Sequence, residues 1–401
     1  MDDTIWERII NPISTAELER RWSATRKAMA ERKIDVLVMQ NSNQFSGGYV
    51  RWFTGSPALN GAATAVIFPR EEDMTLITPG PFGFDRELKA GENVMRRGVK
   101  RWIASPTFMG AHFTTAYDED NFEKTLERFS GATIGLVQTG SMGYAQINRL
   151  KTGKLGNSTF VDATELVDEI MVIKSDEEIA AIRQAAALQD RAVAAAFAAI
   201  KPGMRDYEVS AVAEHVTRNG GAEYGLLMGA SAPMGTALMF QHWHAQNRVI
   251  EKGDWFTILV ETTGPGGYFA ELGRTCVVGR APQEMKDEFA FAVEAQKFTV
   301  DMIKPGAACG DIWNAYNEFM RKNGRAEENR LYSHGQGYNL VERPLVRPDD
   351  PMRLKPRMNL AVHPMYPSKS TMTFVCDNFL LTERGVERLH RSPQQIFEAS
   401  A

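Results

Sequence analysis

The sequence predicts an α/β chain of two domains. An N-terminal α/β domain covers residues 1–165, and a C-terminal domain covers 166–401 as two halves, each pairing helices with part of a curved antiparallel sheet. Three observations lead there. At 401 residues the chain is longer than one core comfortably organises. Its first part alternates between helical and strand-like periodicity. Its second part repeats itself: AFAAIKPGMRDYEVSAVAEHVTRNGG, ending at Gly221, is echoed by FTVDMIKPGAACGDIWNAYNEFMRKNG. Each copy reads as a long helix, an IKPG break, an acidic cap (Asp206, Asp311), a second helix and a glycine stop. An internal pseudo-twofold follows.

Taken in order, residues 15–32 form an amphipathic helix with Thr15 as the expected N-cap. Residues 35–39, AATAVIF and DMTLITPG supply three apolar strands, and ATIGLVQTG and NSTFVDAT two more. The helix ELVDEIMVI leads to the domain boundary. Beyond it Ser175, three residues before Glu178, forms a capping box that opens a long alanine-rich helix.

Composition narrows the function. The charge of −4, with no basic run, gives no electrostatic reason for nucleic acid or membrane partners. The start MDDTIWERIINP lacks the pattern of a secretory signal, and no stretch reaches the roughly 18 apolar residues of a membrane span. Three dispersed cysteines suggest neither a disulfide framework nor a zinc module, so a cytoplasmic protein is expected.

Chemistry-bearing residues gather in the second half, at strand-like positions where apolar side chains bury more cheaply. They are His242 and His244 in HWHAQNR, Glu261 and Glu271 flanking GPGGY, His334 in SHGQG, His363 in VHP, and Cys376 beside Asp377. The order NR, GD, GYFAELGRT, HGQG, HP and TERG resembles the creatinase, prolidase and aminopeptidase P superfamily, whose catalytic domain is the pita-bread fold. The segment FSGGYVRWF, with Arg51 and Phe53, looks like the one this family places over its active site.

The resemblance implies a ligand set of Asp, Asp, His, Glu and Glu for two metal ions. Here those positions read Val260, Glu271, His334, His363 and Cys376, while Glu261 falls on the opposite face of a regular strand. A second histidine of the peptidases corresponds to Val341. A dinuclear site and Xaa-Pro peptidase activity are therefore not expected. Likeness to creatinase implies a site without cofactor, in which His242 is the acid–base and Glu271, His334 and His363 are its polar partners. Creatinase carries a substrate-binding Glu where this chain has Gly273, so creatine itself is not expected as the substrate. Arg51, Phe53, Tyr268, Glu261, Arg343 and Cys376 are expected around a small polar, carboxylate-bearing substrate. Tyr268 and Glu271 share a face only if a bulge near GPGG intervenes. The implied reaction is hydrolysis or lysis of a C–N or other carbon–heteroatom bond, in a homodimer. Two alternatives stay open: a single divalent ion on Glu271, His334 and His363, and an inactive binding or scaffold protein.

Overall fold

The structure is a computed structural model that describes residues 13–41, 43–57, 63–93, 95–367 and 372–400. It divides into two compact units, Met1–Met171 and Val172–Ala401.

The first unit is built on a seven-stranded sheet: β1 (Val36–Asn41), β2 (Thr64–Pro69), β3 (Met74–Pro79), β4 (Asp85–Glu87), β5 (Val99–Ser105), β6 (Thr133–Val137) and β7 (Thr159–Asp162). Their order is β4-β5-β3-β2-β1-β6-β7. Strands β1, β6 and β7 run parallel, as do β3 and β5, while β2 and β4 run against their neighbours. The helices are α1 (Thr15–Glu31), α2 (Gly48–Thr54), α3 (Thr115–Leu126), α4 (Tyr144–Thr152) and α5 (Thr164–Met171). Val36, Val38, Ile67 and Ile134 meet Phe122 and Leu126 of α3 and Leu150 of α4 in one core. The cap of α1 is Ser14 rather than Thr15: its hydroxyl accepts from Glu17 N at 3.0 Å. The FSGGYVRWF segment contributes α2. Phe53 packs there between the rings of Trp52 and Phe68, at 5.3 and 4.9 Å, and Arg51 is buried.

The second unit carries two five-stranded sheets. The first comprises β8 (Gly225–Ala232), β9 (Gln241–His242), β10 (Trp255–Thr263), β11 (Phe269–Val278) and β19 (Phe397–Ala399), ordered β19-β11-β10-β8-β9. The second comprises β12 (Ser333–Gly335), β13 (Glu342–Leu345), β14 (Asn359–Val362), β17 (Asp377–Thr382) and β18 (Gly385–Arg388), ordered β13-β12-β14-β17-β18. Strands β15 (Met365–Pro367) and β16 (Met372–Phe374) form a small ribbon. The two large sheets meet at a bridge between Gly273 and Cys376.

Helices α6 (Asp176–Ala199) and α7 (Asp206–Asn219) cover one face of the first sheet, and α8 (Gln283–Met302) and α9 (Cys309–Lys322) pack with the second. The expected capping box opens α6, with Glu178 N on Ser175 Oγ and Ser175 N on Glu178 Oε2. The repeat is structural as well as sequential. Gly203 and Gly306, closing the two IKPG breaks, adopt φ of 90° and 85°. Their amides donate to Ile250 O at 2.9 Å and Leu354 O at 2.8 Å. The residues preceding α7 and α9 also form matching bridges, Arg205 with Val249 and Ala308 with Arg353. All three cysteines, Cys276, Cys309 and Cys376, are buried free thiols of this unit.

Candidate metal centre

Strand periodicity decides what reaches the site. Along β10, Phe256, Ile258 and Val260 face the helices, packing with Ala192, Val193 and Val209. Their alternates Trp255 and Leu259 face the other way, with Phe374 and Cys376. Glu261 shares that second face and lies directly opposite Glu271 in the β10–β11 ladder. The position counted as the first ligand, Val260, is thus on the helix side, and the carboxylate on the Glu271 face is that of Glu261, next along the strand. The ladder runs without a bulge from Trp255–Val277 to Thr263–Phe269.

His334 on β12 comes within 3.6 Å of Glu271, Nε2 to Oε2. Its Nδ1 donates to Gly335 O at 2.9 Å, which leaves Nε2 as the nitrogen turned toward the carboxylate. His363, just beyond β14, stacks edge-on to His334 with ring centroids 5.2 Å apart. Its Nε2 is buried without a hydrogen-bond partner, and burial pushes the imidazole down to about 4, so the ring is neutral. Ligand atoms of Glu271, His334 and His363 all lie within 4.8 Å of one another. Two imidazoles and a carboxylate in a buried site, one imidazole nitrogen lacking any partner, form a donor set suited to zinc or iron.

Amides frame this group. Gln336 Nε2 donates to Glu261 Oε1 at 3.1 Å and to Glu271 Oε2 at 3.3 Å. Asn378 Nδ2 donates to Gln336 Oε1 at 2.9 Å, and Asn378 Oδ1 accepts from Glu271 N at 2.6 Å. Burial, then the neighbouring Glu271 charge, hold the Glu261 carboxyl well above the usual carboxylate range. Cys376 Sγ donates to Glu271 O at 3.4 Å; burial raises its thiol well above the ordinary value. Gly273, also on the Glu271 face, is required by close approach. A Cβ there would fall 1.9 Å from the Phe374 ring, so no side chain fits at that position.

Of the four residues expected to converge, Glu271, His334 and His363 do. His242 does not. It is exposed on β9, the edge strand, three strand spacings from β11, or about 14 Å at ~4.8 Å each. Its ring stacks on His244 instead, centroids 5.8 Å apart. Tyr268 is turned away: it stacks on Tyr338 at 4.0 Å and donates to Glu178 Oε1 at 3.1 Å. Arg343 pairs with Asp350 at 2.6 Å while staying partly exposed. His390 is a satisfied core histidine. Gln336 and Asn378 were not anticipated. The signal for Gln336 was its place inside HGQG, two residues from His334.

The profile of metallopeptidase family M24 matches residues 180–383. An uncharacterized hydrolase/peptidase of Sinorhizobium fredii is 30% identical over 399 residues, 96% of this chain and 97% of that one. A Pyrococcus horikoshii Xaa-Pro dipeptidase is 28% identical over 278 residues, covering 68% of this chain and 78% of its own. The crystal structure of an X-Pro aminopeptidase from Thermotoga maritima superposes with a TM-score of 0.78 at 21% identity, covering 94% of this chain and 99% of that chain. The mixed α/β architecture is therefore the pita-bread type. The expectation of a site without cofactor does not stand, because the family is one of metallopeptidases and the chain brings a Glu/His/His ligand group together.

Proposed function

This chain belongs to metallopeptidase family M24, and we propose on that premise that it is a hydrolase holding one divalent ion on Glu271, His334 and His363. The observation that carries this reading is the buried, unpartnered Nε2 of His363 beside two further ligand atoms. A divalent ion there supplies Lewis-acid polarisation of a substrate carbonyl. Glu261, opposite Glu271 but outside the three-ligand group, is the acid–base that carries the proton. Gln336 holds both carboxylates in place, and Asn378 holds Gln336.

The substrate is a small polar molecule with a carboxylate and a scissile C–N bond. Arg343, on the strand beside His334 and partly exposed, supports the carboxylate. Xaa-Pro peptides are not the substrate in this reading, since Val341 offers no imidazole where the peptidases have their second histidine. The protein works as a cytoplasmic homodimer.

Elemental analysis after loading with zinc or iron and dialysis tests the centre. One equivalent per chain is expected, falling away in His363→Ala and Glu271→Gln with the fold kept by circular dichroism. Two equivalents, or none, overturn it. Turnover of an Xaa-Pro dipeptide would overturn the substrate class while leaving the metal centre standing.

A further inference from the structure

The first unit contains a cavity of about 380 Å³, lined by its own residues. It opens where parallel strands deliver their carboxyl ends: Gln40 near the end of β1, Thr107 just past β5, and Ser141 just past β6. In mixed α/β sheets this is where ligands commonly sit. Asp118 of α3 and Gln146 of α4 complete its polar lining, with Met109 and Tyr144 as largely exposed apolar walls.

Two groups there have unmet chemistry. Gln146 is only 4% exposed, and neither its amide oxygen nor its amide nitrogen has a hydrogen-bond partner. A buried primary amide in that state costs free energy until something meets it. Asp118 accepts from the neutral amide of Gln40, Nε2 at 3.0 Å, with the Ser105 and Thr107 hydroxyls close by. Those hydroxyls are fixed in turn, Ser105 to Thr107 at 3.0 Å and Thr107 to Thr114 O at 3.0 Å. Burial raises the Asp118 carboxyl above its ordinary range, the direction expected where no cation has yet approached. Glu119 and His112 also line the cavity, and among the described residues its lining includes no Lys or Arg.

We propose that this cavity binds a small organic cation, an amine or amidinium whose charged head meets Asp118 while the Gln146 amide reads a neighbouring donor and acceptor. The flat apolar remainder of such a molecule lies against Tyr144 and Met109. The site is independent of the metal centre, since every residue in it belongs to the first unit.

Isothermal titration of the full chain with benzamidine tests it, with benzoate as the anionic control. Saturable binding of one benzamidine per chain is expected, and none of benzoate. Gln146→Leu and Asp118→Asn should each weaken benzamidine about tenfold or more. His363→Ala should leave it unchanged. Should Asp118→Asn fail to fold, Gln146→Leu and the more conservative Gln146→Asn decide. Absence of benzamidine binding, equal binding of benzoate, or undiminished affinity in the folded Gln146 variants would overturn the proposal and leave a cavity filled by water alone.

Discussion

At the scale of single residues, the centre depends on an amide with no charge of its own. Gln336 sets one donor nitrogen between two buried carboxylates, and Gln336→Leu would leave both without it. We expect that variant to lose about 1–3 kcal/mol in urea unfolding. It should also bind metal roughly 10–100-fold more weakly, because the orientation of Glu271 is no longer fixed. Unchanged stability and stoichiometry would show Gln336 to be a bystander. The same residue marks how far the site was legible in the sequence. His334, His363 and Glu271 were found because ionisable groups at strand positions stand out. Gln336 and Asn378 carry no such flag, although they bind those groups. Glu261 was rightly set on the face opposite Val260, but the site was counted onto Val260's own face, because counting back from Tyr268 gave Val260 and only the ladder register shows which of the two shares a face with Glu271. His242 was chosen by its spacing from an NR pair, and spacing cannot tell an edge strand from a central one.

At the scale of elements, the pseudo-twofold was readable because IKPG imposes a backbone demand. Gly203 and Gly306 have positive φ, and an added Cβ would meet no atom within 4 Å at either place. Gly203→Ala and Gly306→Ala should therefore each cost about 1–2 kcal/mol from the backbone alone, and by nearly equal amounts. Markedly unequal losses in urea unfolding would argue against equivalence of the halves. Strand β5 escaped the sequence reading because Lys100 and Arg101 interrupt its apolar alternation, whereas its burial comes from Ile103 to Ser105. The segment joining β17 and β18 to the second unit's end carries an acid-sensitive contact. His390 Nδ1 accepts from Asn378 N at 3.1 Å, its Nε2 faces Gln189 Oε1 at 3.0 Å, and burial pushes it down to about 4. Asp377 at 3.9 Å, with Asp190, Arg274 and Arg388, surrounds it. The native ring thus stays neutral while an unfolded one protonates below ~6.5. Stability should fall as pH drops from ~6.5 to about 4, by on the order of 3 kcal/mol in all, and this contribution should vary no further outside that window. Urea unfolding at pH 7 and pH 5 should show a shallower pH dependence for His390→Gln, and equal dependence would refute the assignment.

At the scale of the whole molecule, the second unit holds every residue of the proposed centre and all three cysteines, while the first holds no cysteine. Burial pushes the Cys276 and Cys309 thiols up to about 12 and Cys376 well above its ordinary value. Such thiols are closed to alkylating reagents until the chain around them opens. They sit at three separate places: Cys276 in the first sheet, Cys309 at the start of α9, and Cys376 at the junction of the sheets. Timed alkylation read by peptide mass spectrometry thus becomes an internal clock for this unit. If the two pseudo-equivalent halves unfold as one body, the three cysteines should be modified at a single common rate. If one half opens first, its cysteine should label ahead of the others. Denaturant that melts only the first unit should leave all three silent.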